Sequence, residues 1–194
     1  MAGSTRKQGP KRSEDSRAAI LAATREELAE NGWRKFSVDG VAKRARASKQ
    51  TIYRWWPSVG AMCVDAGLEL LPAQGRLGRD PAERVTDIFL PLEIAARAGT
   101  GHAVLRASLI AAADDADAGE YWRAWLQDNL RTPLRNVLAE LTAKRIIRRD
   151  WEIDIAMQLM LGAFWHRLVL MRAPISDGHM ASQAGLLLKL FEET

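Results

Sequence analysis

The sequence predicts an all-α protein of about nine helices, with an N-terminal three-helix helix-turn-helix domain followed by a larger helical domain. Three observations predict it. The stretch from Ser37 to Trp56 reads as two short helices joined by a tight turn, the second of them polar and basic. From Val59 onward apolar residues recur at helical spacing, and no segment alternates apolar with polar as a half-buried strand would. Charge is divided unevenly: residues 1–60 carry +7 and residues 61–194 carry −3, within a net +4.

The elements follow in order. Residues 1–12 are rich in Gly, Ser, Lys and Arg and are expected to form a flexible basic arm, with Arg6, Lys7, Lys11 and Arg12 able to reach phosphates or a minor groove. No apolar run follows them, so a secretory signal is not expected. Residues 13–58 form the expected helix-turn-helix domain. Arg17 to Asn31 is its first helix, with Ser13 or Asp15 as cap, Ile20, Ala23 and Leu28 as apolar anchors, and Gly32 as terminator. Trp33 and Phe36 act as plugs.

Ser37 caps a helix over Val38–Ala45, with Asp39 in its first turn and Val38, Val41, Ala42 and Ala45 on one stripe. Ser48 caps the next, Lys49 to Trp55, which Pro57 stops. Ile52 and Trp55 or Trp56 point inward. Ser37, Lys43, Arg44, Arg46, Ser48, Lys49, Gln50, Thr51, Tyr53 and Arg54 are the candidate DNA contacts. Of these, Lys49, Gln50, Thr51 and Tyr53 are expected at bases and backbone. Ser37, Lys43, Arg44, Ser48 and Arg54 are expected mostly at phosphates.

Helix, plug, turn and Tyr-x-x-Trp spacing together resemble the DNA-binding domain of the tetracycline-repressor (TetR/AcrR) family. The matching residues are AAILAATREELAENGW and FSVDGVAKRARASKQTIYRWWPS, within roughly the first sixty positions. Two positions depart from the family. Arg46 stands in the turn where Gly is usual, and Gly accepts a left-handed backbone more easily than Arg. Val59 stands where a phosphate-binding Lys is usual, so a backbone N–H at that helix start is the remaining donor.

Residues 59–194 form the expected second domain. Its helices run from Val59 to Leu71, from Asp80-Pro81 to about Arg97 with a bend at Pro91, and from His102 to about Ala113. A long helix from Glu120 to about Ala143 has a kink at Pro133. The last two are capped by Asp150 and by Ser176 or Asp177. No apolar stretch is expected to be long enough for a membrane span. Cys63 is the one cysteine, which excludes an intramolecular disulfide and suits a reducing cytoplasm. It is expected to pack in the fourth helix.

The resemblance implies a homodimeric regulator whose middle helices enclose a small-molecule cavity. Met62, Phe89, Leu92, His102, Arg106, Trp122, Trp125, Met157, Met160, Trp165 and His166 are the candidate lining residues, for a largely apolar effector. The last two helices are apolar on more than one face. Ile153, Met157, Leu161, Phe164, Leu168, Met180, Ala184, Leu187, Leu188 and Phe191 are the candidate dimer seam.

No phosphate-cradling Gly-rich turn, HExxH or Cys/His metal spacing occurs, so no catalytic residue, metal or cofactor is expected. Asp114, Asp115 and Asp117 read as a solvated interhelical loop. The expectation is a cytoplasmic repressor that binds a palindromic operator as a homodimer and is released by a small molecule. The alternatives are a sequence-tolerant architectural DNA-binding protein and a helical small-molecule-binding protein with an incidental hairpin.

Overall fold

In the computed structural model, residues 10–97 and 99–192 are described. They form helices α1 (Pro10–Asn31), α2 (Val38–Ala45), α3 (Lys49–Trp55), α4 (Val59–Leu68), α5 (Pro81–Ala96) and α6 (Gly99–Asp114). These are followed by α7 (Ala116–Leu126), α8 (Thr132–Ala143), α9 (Ile153–Trp165) and α10 (His179–Phe191). A π-helical turn, Gln127–Arg131, joins α7 to α8 in one continuous rod, so nine separate helices stand among the described residues. No strand occurs among them; Ile147 and Glu192 form one isolated bridge.

Local chemistry explains most boundaries. Ser37, Ser48, Ser58 and Asp80 each accept a hydrogen bond from an amide in the first turn of the helix they precede. Arg46 ends α2 in the left-handed region, at φ 51° and ψ 38°. The turn geometry is thus kept without Gly, against a local strain of ~1 kcal/mol. Arg46→Gly is therefore expected to raise the melting temperature by about 2–4 °C, from ~1 kcal/mol of relieved strain in a chain of this size. A thermal melt followed by circular dichroism checks this.

Several boundaries differ from the sequence reading. α1 begins at Pro10 rather than Arg17, so Lys11 and Arg12 belong to its first turn rather than to a free arm. Arg6 and Lys7 lie outside the described residues. The kink expected at Pro133 takes the form of the π-helical turn just before it. Proline has no N–H to continue the regular ladder, and the chain widens by one residue there. Neither Asp150 nor Ser176 or Asp177 caps its helix. For α10 the cap comes from across the fold: buried Glu93 of α5 accepts from the amides of Gly178 (3.0 Å) and Met180 (2.8 Å). A carboxylate there also suits the positive end of the helix.

Packing divides into a head core and a larger body core. Ile20, Leu21, Val41, Ile52 and Trp56 pack with Met62 and Ala66 of α4 in the head. Val64 of the same helix joins the body core of α5 to α10. Trp33 and Phe36 pack with Leu28, Cys63, Val104 and Ala107, so the plugs wedge head against body.

Every residue from Gly60 to Gly67 is buried. A Cβ on Gly60 would stand 2.6 Å from Asp115 Cγ, and one on Gly67 would collide with the Ser108 hydroxyl. Glycine at both positions lets α4 approach α6 and α7 closely. On the opposite side Asp65 accepts from Trp56 Nε1 (2.8 Å) and Arg17 Nη2 (2.5 Å), while Arg17 and Arg25 pair with Glu69. α4 is thereby fastened both to the head and to the body.

One helical stretch, Ile153–Leu170, is 18 residues long and apolar enough, by length and composition, to cross a membrane. This corrects the expectation that no such stretch exists. One of its faces packs into the body core, through Ala156, Met160, Phe164 and Leu168.

Candidate nucleic-acid interface and effector grooves

α3 presents its polar side outward. Ser48, Lys49, Gln50, Tyr53 and Arg54 are exposed, Thr51 is half-buried, and Ile52 anchors the helix inside. Tyr53 is 52% exposed, an unusual placement for a large ring within a small domain and one that suits a contact surface. The Ser48 hydroxyl is shared between the Thr51 amide (3.1 Å) and the Thr51 hydroxyl (2.9 Å), which fixes the start of the helix.

Lys49 lies 2.7 Å from Asp39 of α2, and that carboxylate holds its ammonium above the ordinary lysine range. Both groups are exposed, so a phosphate or base can replace the pair at little cost. Ser37 is half-buried at the head of α2, with Lys43 and Arg46 exposed at its other end.

The Arg44 guanidinium reaches Glu26, Glu27 and Glu30 of α1, and the hydrogen bond to Glu30 holds that carboxylate below its usual range. It ties α2 to α1. At the start of α4 one backbone donor is engaged: Ser58 accepts from the Ala61 amide (3.0 Å), and its hydroxyl donates to Asp115 (2.9 Å). A carboxylate therefore already occupies the helix start that Val59 leaves without a lysine.

Asp114 and Asp115 are not a solvated loop. Asp114 accepts from Trp33 Nε1 (3.0 Å), and Asp115 both caps α7 through the Ala118 amide (2.9 Å) and receives Ser58. The α6–α7 corner grips the head at two points. Cys63 is buried, and burial pushes its thiol well up, which keeps it neutral and unreactive.

The candidate effector residues separate sharply. Met62, Phe89, Leu92 and Met160 are fully buried packing. His102 and Arg106 are half-buried on α6 and line neither groove described next. Trp122, Trp125 and Trp165 form an aromatic wall, with centroids 5.4 Å apart for the stacked Trp122–Trp125 pair and 5.9 Å for Trp122 against the edge of Trp165. A groove opens on each side of Trp165. One, about 460 Å³, is lined by Leu126, Met157, Leu161 and Gly162 with Arg123 and Gln127. The other, about 540 Å³, is lined by Leu109, Ala112, Trp122, His166, Val169 and Leu170.

The candidate seam is corrected on the same grounds. Ile153, Leu161, Phe164, Leu168, Met180, Ala184, Leu187 and Phe191 are at most 7% exposed, and Met157 and Leu188 pack against them, so these side chains build the chain's own core. The apolar residues left outside on α9 and α10 are Ile155, Leu159, Leu170, Leu186 and Leu190.

A helix-turn-helix head with a polar, basic second helix, fastened through α4 to an all-α body with apolar grooves, defines a DNA-binding regulator. Residues 20–62 match the pattern described as "Bacterial regulatory proteins, tetR family". The chain is 27% identical over 180 residues to the uncharacterized HTH-type transcriptional regulator YdeS of Bacillus subtilis, covering 90% of this chain and 88% of YdeS. It is 38% identical over 92 residues to Rv1556 of Mycobacterium tuberculosis, another uncharacterized HTH-type regulator, covering 44% and 45% of the two chains. Among solved structures it resembles the TetR family transcription regulator SCO0332, with a TM-score of 0.57, 26% identity, and coverage of 90% of this chain and 97% of that one. Together these matches support a transcriptional regulator of the TetR kind. These relatives are regulators rather than enzymes.

Proposed function

We propose that this chain is a homodimeric, effector-released repressor that reads a palindromic operator. The observation that carries the reading is the pair of hydrogen bonds from Trp33 and Ser58 to Asp114 and Asp115, because they join the reading head to the two helices that wall the grooves. Lys49, Gln50, Thr51 and Tyr53 meet bases and backbone in the major groove; Ser37, Lys43, Arg46, Ser48 and Arg54 meet phosphates. The basic residues Arg6, Lys7, Lys11 and Arg12 at the N-terminus add phosphate or minor-groove contacts.

Two heads are needed because one short helix reads too few base pairs. The outward apolar stripe of α9 and α10, rather than their core face, supplies the pairing surface: Ile155, Leu159 and Leu186 lie on it. Burial of that stripe against a second copy also accounts for the apolar length of Ile153–Leu170 without a membrane, consistent with action in the cytoplasm.

A ligand beside Trp165 separates α9 from α6 and α7 and shifts the α6–α7 corner. The corner carries Trp33, Ser58 and the start of α4 with it, and the spacing of the two heads changes. Ligand and operator then favour different states, so each weakens the other's binding.

Selection from random DNA, repeated with a panel of metabolites, tests the reading. The expected result is a two-fold symmetric site with half-sites one or more helical turns apart, released by one chemical class. Binding that depends steeply on salt but shows no preferred site would favour an architectural DNA-coating role. Absence of DNA binding at low salt would leave a small-molecule-binding protein.

A further inference from the structure

Resting on the effector-released reading above, we propose that the effector is an aromatic or apolar organic anion, its ring against Trp165 and its anionic group on Arg123. The groove supplies both halves of that recognition. Leu126, Met157, Leu161 and Trp165 line it with apolar surface, and Gly162 leaves an open place where a side chain would otherwise project. The aromatic wall favours a flat ring, which stacks or meets an edge with more than its area alone would give.

The charges at the rim decide the sign of the ligand. Two arginines border the groove, Arg123 and Arg131. Arg131 is spent on Asp154, a pair that holds the carboxylate below its usual range. Arg123 has no carboxylate within ion-pair distance among the described residues. Its Nη1 lies 3.0 Å from where a Cβ of Gly119 would stand, so the missing side chain gives the guanidinium room to fold back beside the end of α6.

A free guanidinium at the edge of an apolar surface offers a forked pair of donors to a carboxylate, sulfonate or phosphate. The amides of Gln127 and Gln158 on the same rim add neutral hydrogen bonds. A cationic ligand would meet two arginines, and a neutral one would leave Arg123 without use. The second groove contains no arginine or lysine, so the anionic group is directed to the first.

The test uses two probes of equal shape, 2-naphthoate and 2-naphthamide, titrated by calorimetry and by quenching of tryptophan emission in the full chain. The expected result is a preference of ~10-fold or more for the anion, the range of one charge-assisted hydrogen-bond pair. In Arg123→Gln that preference should vanish, with the naphthamide affinity unchanged. Arg123 is exposed, so this variant should fold as the parent does. Gly162→Leu, which fills the groove, should lose both probes.

Equal affinity for the two probes, a preference that survives in Arg123→Gln, or no binding of either up to its solubility limit would overturn the proposal. So would quenching that disappears as protein concentration rises, because a second copy would then occupy the groove. Operator binding is measured separately. Sequence-specific DNA binding released by some other class of compound would refute this inference while leaving the repressor reading intact. Loss of the repressor reading would show instead as absence of a preferred DNA site, whatever the probes do.

Discussion

Tyr53→Ala should lower operator affinity by ~10²-fold or more while leaving secondary structure and oligomeric state unchanged. Ile52 is the fully buried anchor of α3, so removing the exposed Tyr53 ring takes nothing from the head core. Its loss therefore acts on the interface alone. A contact to base edges or backbone in the major groove contributes about 1–3 kcal/mol per half-site, and a two-fold operator counts it twice.

Fluorescence anisotropy with the selected operator gives the affinity, and circular dichroism checks the fold. A competitor of unrelated sequence separates the two components of binding: non-specific affinity, carried by Lys43, Arg46 and Arg54, should change little. Full operator affinity in Tyr53→Ala would remove α3 as the reading helix. Lys49 provides a contrast on the same helix. It must leave Asp39 to reach DNA, so Asp39→Asn should strengthen operator binding modestly, by a factor of ~2–5, the value of an exposed ion pair.

The head was legible in the sequence because its signals are local. Ser37 and Ser48 each bond to an amide three residues on, and Pro57 forbids continuation, so both helices of the hairpin could be bounded without knowledge of the rest of the fold. The left-handed turn at Arg46 is suggested only by the resemblance, through the glycine usual at that position. Long-range partners were not legible. Arg44 looks like any basic residue of a DNA-binding helix until α1 brings three glutamates to it. Asp114 and Asp115 read as loop because their partners, Trp33 and Ser58, are 81 and 57 residues away. A helix apolar on several faces, such as α9, states that more than one side is covered but not which side faces its own core. Phe164 and Leu168 face that core.

The exposed leucines of α9 and α10 carry the second large effect. Leu159→Glu combined with Leu186→Glu should convert the protein from a dimer to a monomer of 21.6 kDa by light scattering. The monomer should remain folded, because both side chains stand outside the core, at 37% and 61% exposure. A charge at Phe164 or Leu168 would be ambiguous, since burying it unpaired costs several kcal/mol and unfolding would be the expected outcome.

With the outward stripe, loss of association and loss of fold are separable. Operator affinity should then fall by ~10²–10⁴-fold, because the second head no longer binds as a tethered partner of the first. Affinity for a single half-site should stay near that of one head of the parent protein. An unchanged dimer would move the seam off the α9–α10 stripe. A monomer that kept full operator affinity would remove the need for two heads, and with it the spacing change on which effector release depends.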